Sequence, residues 1–381
     1  MYRFNESLYL GISFNDIELP LNNNTLVVET MLITTNVKMS LPSCSLIIRD
    51  KEGFFESKCS LAAELPFIIK FGTSPDNVET FKFRIFTPSE SKSLEETVYS
   101  IIGVYQSPRY ILESRNTPLR GTSSAVLKTI TEECGLKYSG VDTADAQVWN
   151  PGNNKNHVFV RQIVSHSYIG KSSCLRHGVT GSGDFRLRNL ATIDTGKNPV
   201  FWRGIQPESA GDSYQLYDLN SSTNSGFSNS VSGYAQSMIQ QSGLTDITVA
   251  FKHVELAAQN PILPLNATIK NGIKSTRILF APIDCGNNHS NYEEASYQNT
   301  RIAHLYSSSV VFMHGSKTSY DVLDVVTILQ QSSRDFPPDS MSGNYIITGK
   351  AIFLQGTNFY EKFEGVRLGN TVDTTNTQAK R

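Results

Sequence analysis

Four clusters of residues in the chain have types and spacings that could do chemistry. Gly170-Lys171-Ser172 matches the end of a phosphate-binding loop, where glycines open backbone amides to phosphate and a lysine reaches the terminal group. The position of that motif's first glycine holds Ser165, and the segment follows a helical pattern rather than a strand, so it reads as a helix-ending loop. Gly178-Val-Thr-Gly-Ser-Gly has neither dinucleotide spacing nor the Gly-x-Ser-x-Gly of a nucleophile elbow, and reads as a flexible surface loop. Cys174 and His177, with His166 nearby, have metal-like spacing, but three ligands leave a tetrahedral zinc site incomplete. Each then packs or caps. Glu132-Glu133 and Glu293-Glu294 are adjacent carboxylates, and helix neighbours diverge by about 100 degrees, too far to flank one substrate bond. No catalytic, cofactor-binding or metal-binding set is complete, and no cofactor is expected.

Composition narrows the partners. Lys plus Arg number 34 against 35 Asp plus Glu in 381 residues, without long like-charge runs, so the footprint of a nucleic-acid or anionic-membrane binder is missing. Partners are therefore expected to be proteins. Five dispersed cysteines with no Cys-x-x-Cys pair argue against a disulfide framework or a zinc ribbon, and each is expected to pack as a small apolar side chain. The opening Met1-Tyr-Arg-Phe-Asn-Glu does not read as a signal peptide, and no apolar run approaches the ~18 residues of a membrane span. The expectation is a soluble chain without a membrane anchor, made in the cytoplasm.

The elements that would position these residues run from strands to helices and back to strands. Between Leu8 and Tyr105, turn residues separate six runs: Leu8 to Phe14, Thr25 to Thr34, Cys44 to Arg49, Pro66 to Phe71, Thr80 to Phe86 and Thr97 to Tyr105. In Phe81-Lys-Phe-Arg-Ile apolar and charged residues alternate, the period of a strand wet on one face. A capped helix is expected over Gly121 to Gly135, with a stripe of Val126, Leu127, Ile130 and Cys134, and a second over Asn156 to Tyr168. Strands are read at Phe185 to Ile193 and near Val200. Leu219 to Gly233 is a polar low-complexity bridge expected to form exposed loop, followed by a strand from Asp246 and a helix from Asn291 to Tyr306. Four strands close the pattern, at Val310 to Met313, Val322 to Leu329, Tyr345 to Leu354 and Phe359 to Leu368.

The fold class is therefore α+β, mostly β: two β-barrel-like tube domains with smaller α+β inserts. The expected division is a first barrel over 1–111, an α+β insert over 112–205, a second barrel from 206–256 and 305–370, a small linking helical domain over 257–304, and a flexible tail over 371–381.

The order of elements resembles the baseplate central hub proteins of contractile-tailed phages, and the front halves of late-control and type VI secretion spike proteins. Ser43-Cys-Ser-Leu-Ile-Ile-Arg-Asp, Phe67-Ile-Ile-Lys-Phe-Gly and Phe81-Lys-Phe-Arg-Ile-Phe-Thr are similar to successive strands of that family's opening barrel. The helices Ser123-Ser-Ala-Val-Leu-Lys-Thr-Ile and Phe159-Val-Arg-Gln-Ile-Val follow in the same order. Tyr292-Glu-Glu-Ala resembles the start of the helix leading into the second barrel, and Gly343-Asn-Tyr-Ile-Ile with Tyr360-Glu-Lys-Phe-Glu its last hairpin. The resemblance implies a virion protein without enzymatic activity, in which two barrels per chain in a homotrimer present six units. Such a ring would match a six-fold tail tube to a three-fold central spike. It implies contacts with the spike protein, the tail tube or a tube-adaptor protein, the surrounding wedge proteins and the tape-measure protein, with DNA passing the channel without specific binding. The long spike-forming extension of secretion-type relatives has no counterpart in this sequence. A tail adaptor or tube-end protein of the same barrel family is the alternative, and an enzyme or carbohydrate-binding tail module a more distant one.

Single substitutions of Lys171, Cys174, His177, Glu293 or Glu294 are expected to abolish no chemical activity. Nucleotide-hydrolysis and zinc-stoichiometry assays on the purified protein check this. An activity lost with one such change would refute it.

Overall fold

A computed structural model describes residues 8–21, 25–170, 173–190, 192–193, 198–207, 212–223, 237–240, 250–253, 289, 291, 295, 308–333, 338–339, 341–356 and 358–367. The first strand set comprises β1 (Tyr9–Phe14), β2 (Ile17–Glu18), β3 (Leu26–Asn36), β4 (Ser43–Asp50), β5 (Pro66–Ser74), β6 (Asn77–Lys92) and β7 (Thr97–Tyr105), with the short helix α1 (Phe54–Lys58) after β4. All six runs read from the sequence are strands. Alternation sets their faces: Phe81, Phe83 and Ile85 of β6 point into the core with Phe67, Ile69 and Phe71 of β5, while Lys82 stays wet. β6 is longer than its apolar run because its polar second half pairs with β7 from Thr87 to Lys92.

The insert holds α2 (Pro108–Leu112), β8 (Leu119–Gly121), α3 (Ser123–Glu133), β9 (Lys137–Gly140), β10 (Gln147–Trp149), α4 (Asn156–His166), β11 (Leu175–Val179) and β12 (Asp184–Asn189). Thr122 caps α3, its hydroxyl accepting from the Ala125 amide. Buried Asp145 fixes the same end, accepting from the Ser123 amide and hydroxyl, each at 2.7 Å, and from the Tyr168 amide beyond α4, also at 2.7 Å. The apolar stripes of α3 and α4 join Phe185 and Leu187 of β12 in the first core.

The second strand set comprises β13 (Val200–Gly204), β14 (Ser213–Gln215), β15 (Asp218–Thr223), β18 (Ser308–His314), β19 (Val325–Gln331), β20 (Gly343–Gln355) and β21 (Asn358–Arg367); β16 (Ser237–Gln240) and β17 (Ala250–His253) pair with each other. Three readings differ from expectation. Leu219 to Thr223, read as the start of an exposed bridge, belongs to β15, because its backbone pairs with β18 and Leu219 enters the second core. Val322 and Leu323, read as strand, form a turn with Leu323 in the left-handed region at φ 71°, and the strand starts at Val325. β13 pairs in parallel with β14 and β19, so its hydrogen bonds lie with the second set rather than with the insert. The helix read over Asn291 to Tyr306 lies outside the described residues except for Asn291 and buried Ala295, and the tail from 371 lies outside them entirely.

The two strand sets form one hydrogen-bonded ladder, and β20 is where they join. Along one edge β20 pairs with β21 from Ile346 to Gln355. Along the other it pairs with β19 over Gly343 to Ile346 and with β3 over Gly349 to Gln355, the change falling at an irregularity between Ile347 and Gly349. Each end of the β20–β21 hairpin feeds a different core. Ile352, Leu354 and Phe359 pack with the first set, while Tyr345, Ile347 and Phe363 pack with Phe201, Phe312 and Ile328 of the second. A third, smaller cluster of Val37, Cys174, Leu190, Val322 and Ile346 seats the insert between them.

A hairpin common to both cores should make unfolding one event. Phe359→Ala and Phe363→Ala are each expected to cost about 3–5 kcal/mol. Urea transitions read from Trp149, in the first core, and from Trp202, on β13, in variants keeping one tryptophan each, should coincide and shift together for both alanine changes. Separate midpoints would show that the cores unfold independently.

Candidate functional site: a buried ionic junction

Charged residues gather where β3, β6, β20, β21 and the β11–β12 turn meet. Glu361 of β21 lies between Phe359 and Phe363 in the alternation, so strand parity points its carboxylate inward and leaves it fully buried. One carboxylate oxygen, Oε2, accepts from the Thr318 amide at 3.1 Å and its hydroxyl at 2.5 Å. The other, Oε1, lies 3.3 Å from Lys350 Nζ and 3.6 Å from Lys317 Nζ. Lys350 of β20 is itself buried and donates to the carbonyls of Thr318 at 3.1 Å and Tyr320 at 2.8 Å. Lys317 donates to Glu79 of β6 at 2.6 Å, tying the loop after β18 to the first strand set.

The same loop grips the insert. Asp321 accepts from the Thr35 hydroxyl of β3 at 2.9 Å and, through its other oxygen, from the Gly181 amide in the β11–β12 turn at 2.9 Å. Arg186 of β12 returns the contact, donating to the Val322 carbonyl and pairing with Asp324, both at 2.9 Å. One loop of the second set therefore holds the first set and the insert through fully charged or charge-assisted bonds, which are stronger than neutral ones.

Burial alone would neutralise these groups, and the neighbours decide otherwise. Desolvation pushes Glu361 up, but Lys350, Lys317, His314 and the Thr318 hydroxyl together hold it below the usual carboxylate range. Desolvation pushes Lys350 down, and Glu361, Glu79 and Asp321 outweigh it, so the amine stays charged above its ordinary value. Asp321 is raised, burial outweighing Lys350 and its backbone donors. His314 lies buried against Phe363 with ring planes 4° apart, and desolvation pushes its pKa down to about 4 despite Glu361 at 3.6 Å. Its Nδ1 accepts from the Ser316 amide at 3.3 Å, which places the proton on Nε2. With these side chains packed, the arrangement locks parts together and presents no exposed nucleophile or base.

The residues singled out in the sequence do not converge. Cys174 is buried and its amide donates to Asn189 Oδ1 at 2.9 Å; His177 stacks on Phe185 at 5.5 Å, and burial with Arg176 and Arg161 pushes its pKa down to about 3. The His166 carbonyl meets His289 Nε2 at 2.7 Å. Among the described residues no group of three His, Cys, Asp or Glu side chains could hold a metal ion. Glu132 pairs with Lys128, and Glu133 with Arg115, on the solvent side of α3. Lys171, Ser172, Glu293 and Glu294 lie outside the described residues. Gly178 to Gly183 is not a flexible loop but the end of β11 and a packed turn: the Thr180 amide donates to the Asp184 carbonyl, and Gly183, at φ +88°, lies where any Cβ would overlap the Tyr105 hydroxyl. Sequence reading missed Glu361 and Lys350, although a charge at an inward-facing position of an apolar strand was visible in Phe359-Tyr-Glu-Lys-Phe and Thr348-Gly-Lys-Ala-Ile.

No protein-family model and no curated protein matches the sequence. Solved structures do. The 43 kDa tail protein of prophage MuSo2 from Shewanella oneidensis superposes with a TM-score of 0.63 at 7% identity, over 96% of this chain and 100% of that one. A tail protein from Neisseria meningitidis MC58 gives 0.61 at 9% identity, over 96% and 98%. The chain has the fold of a phage tail protein. A type VI secretion component of Escherichia coli, described as structurally similar to the T4 tail proteins gp27 and gp5, gives 0.54 at 8% identity, over 93% of this chain and 76% of that one. At such identities the likeness resides in the order and spacing of elements, which is where the sequence resemblance to baseplate hubs also lay. No helix among the described residues of this tail-protein fold is long and apolar enough to cross a membrane.

Removing one partner of the junction leaves a buried charge uncompensated. Lys350→Met and Glu361→Gln are each expected to cost about 3–5 kcal/mol in chemical denaturation. Acid should weaken the junction. Glu361, depressed in the fold, contributes fully above the usual carboxylate range and loses that contribution as pH falls through its lower folded value. His314, neutral in the fold down to about 4, opposes folding progressively as pH falls from 6.5, because the unfolded chain binds the proton first. Asp321, raised, works in the opposite sense across the carboxylate range. His314→Phe should therefore flatten the fall in stability between pH 6.5 and 4 by up to about 3 kcal/mol. An unchanged slope would mean the ring does not titrate as placed.

Proposed function

We propose that the chain is a structural hub of a phage-type tail baseplate, located in the virion and acting without catalysis. The observation that carries this reading is a tail-protein fold over 96% of the chain. A buried ionic junction that ties the strand sets and insert together suits a part that transmits force. In this reading the two strand sets serve as two tube units, with the domain borders drawn from the sequence. Three copies give six units, so a ring can meet a six-fold tube above and a three-fold central spike below. The partners are then the spike protein, tube or adaptor proteins, wedge proteins and the tape-measure protein, with DNA crossing the channel without specific contacts. A near-zero formal net charge of −1 removes a general repulsion between packed copies.

Mass measurement of the purified chain, alone and with its spike, tests the proposal. A trimer is expected. A hexamer favours the tube-end or adaptor reading, and a persistent monomer that never enters a three-fold complex overturns the hub.

A further inference from the structure

The outer face of β6 and β7 carries an apolar groove of about 650 Å³ beside α2. Phe86, 68% exposed, and Leu112, 63% exposed, form its lips, with Val104 and Ile111 between them. Phe86 faces outward because alternation puts it on the side of Lys82 and Arg84, opposite Phe83 and Ile85, and the register shift between Ile85 and Thr87 leaves it without a partner on β7. Arg84 lines the same groove. Its guanidinium donates to the Glu64 carbonyl at 3.1 Å, its Nε is buried without a hydrogen-bond partner, and among the described residues no carboxylate lies within ion-pair distance of it. The groove's other cation, Arg109, is already paired with Glu113 at 3.3 Å.

The same ribbon ends in a complementary knob. The β6–β7 tip, Ser93-Leu-Glu-Glu, is closed by the Ser93 amide donating to the Glu96 carbonyl at 2.9 Å and the Glu96 amide donating to the Ser93 hydroxyl at 3.2 Å. This cross-bonded turn holds Leu94 fully exposed at its apex. Beside it, exposed Glu95 has no cation partner among the described residues. Six residue steps lead along the strand from Phe86 to Lys92, so knob and groove lie on the order of 20 Å apart along one ribbon and cannot fill each other within a chain.

We propose that the groove receives the β6–β7 tip of a second copy of this chain, with Leu94 seated between Phe86 and Leu112 and Glu95 paired with Arg84. Groove and knob are different surfaces, so the contact is head-to-tail and recurs around a ring. Apolar anchor, groove and unpaired charge on each side are the complementarity that the observations supply. The proposal rests on the hub reading for its ring, and supplies the surface through which copies meet.

Cysteines introduced at both sites, Leu94→Cys with Leu112→Cys in a Cys285→Ser background, test the contact on the full chain. Cys44, Cys59, Cys134 and Cys174 are buried. Mild oxidation with diamide is expected to give covalent dimers and trimers that neither single-cysteine variant gives. Arg84→Glu should weaken self-association at least tenfold, and adding Glu95→Arg in the same chain should restore it, a rescue that misfolding would not show. A three-fold oligomer that forms without the cross-link and is indifferent to the charge changes overturns this contact while leaving the hub. A chain that stays monomeric overturns both.

Discussion

A carboxylate sealed inside a protein must be answered by charge, and the buried Glu361 sets the terms for the rest of this fold. Its desolvation alone would favour the neutral acid. Keeping it ionised requires Lys350 and Lys317 to be held within 3.6 Å, and those lysines in turn require the carbonyls of the loop after β18 and Glu79 of β6. Each requirement reaches into a different element. The loop cannot move without uncovering a charge, so the second set, the first set and the insert are fixed together by one electrostatic demand.

That demand coincides with a shared strand. β20 gives one half of an edge to β19 and the other half to β3, and the hairpin it forms with β21 fills both large cores. Lys350 and Glu361 lie in this hairpin, Lys350 just past the irregularity where the pairing changes. Hydrophobic burial supplies most of the favourable free energy on either side. The ions supply something burial is poor at, a unique alignment between two halves that could otherwise slide, because a misplaced apolar contact costs little and a misplaced buried charge costs several kcal/mol.

On the hub reading proposed above, the combination has a mechanical sense. A hub reading needs two units per chain whose relative placement is constant, since a ring built from them must close. Local opening would begin at elements with few buried contacts, and the junction is the reverse of such an element. The three most exposed large apolar residues, Leu94, Phe86 and Leu112, lie in contrast at the β6–β7 tip, on β6 and on α2.

Much of this was written in local pattern. Period-two alternation located the six strands of the first set, and a Ser or Thr cap with a 3.6-residue stripe located α3. Such features depend on neighbours a few residues apart. The sequence could not say that β20 would pair with β3, over 300 residues earlier, nor that Leu219 to Thr223 would be drawn from a polar bridge into a ladder, because strand partners are chosen by long-range fit. Nor could it fix the junction. A lysine and a glutamate at inward positions announce a cost in each strand separately, and only the tertiary structure decides whether Glu361 meets Lys350, Lys317 and Thr318 or nothing at all, since electrostatic energy at these distances depends on placements to within an ångström.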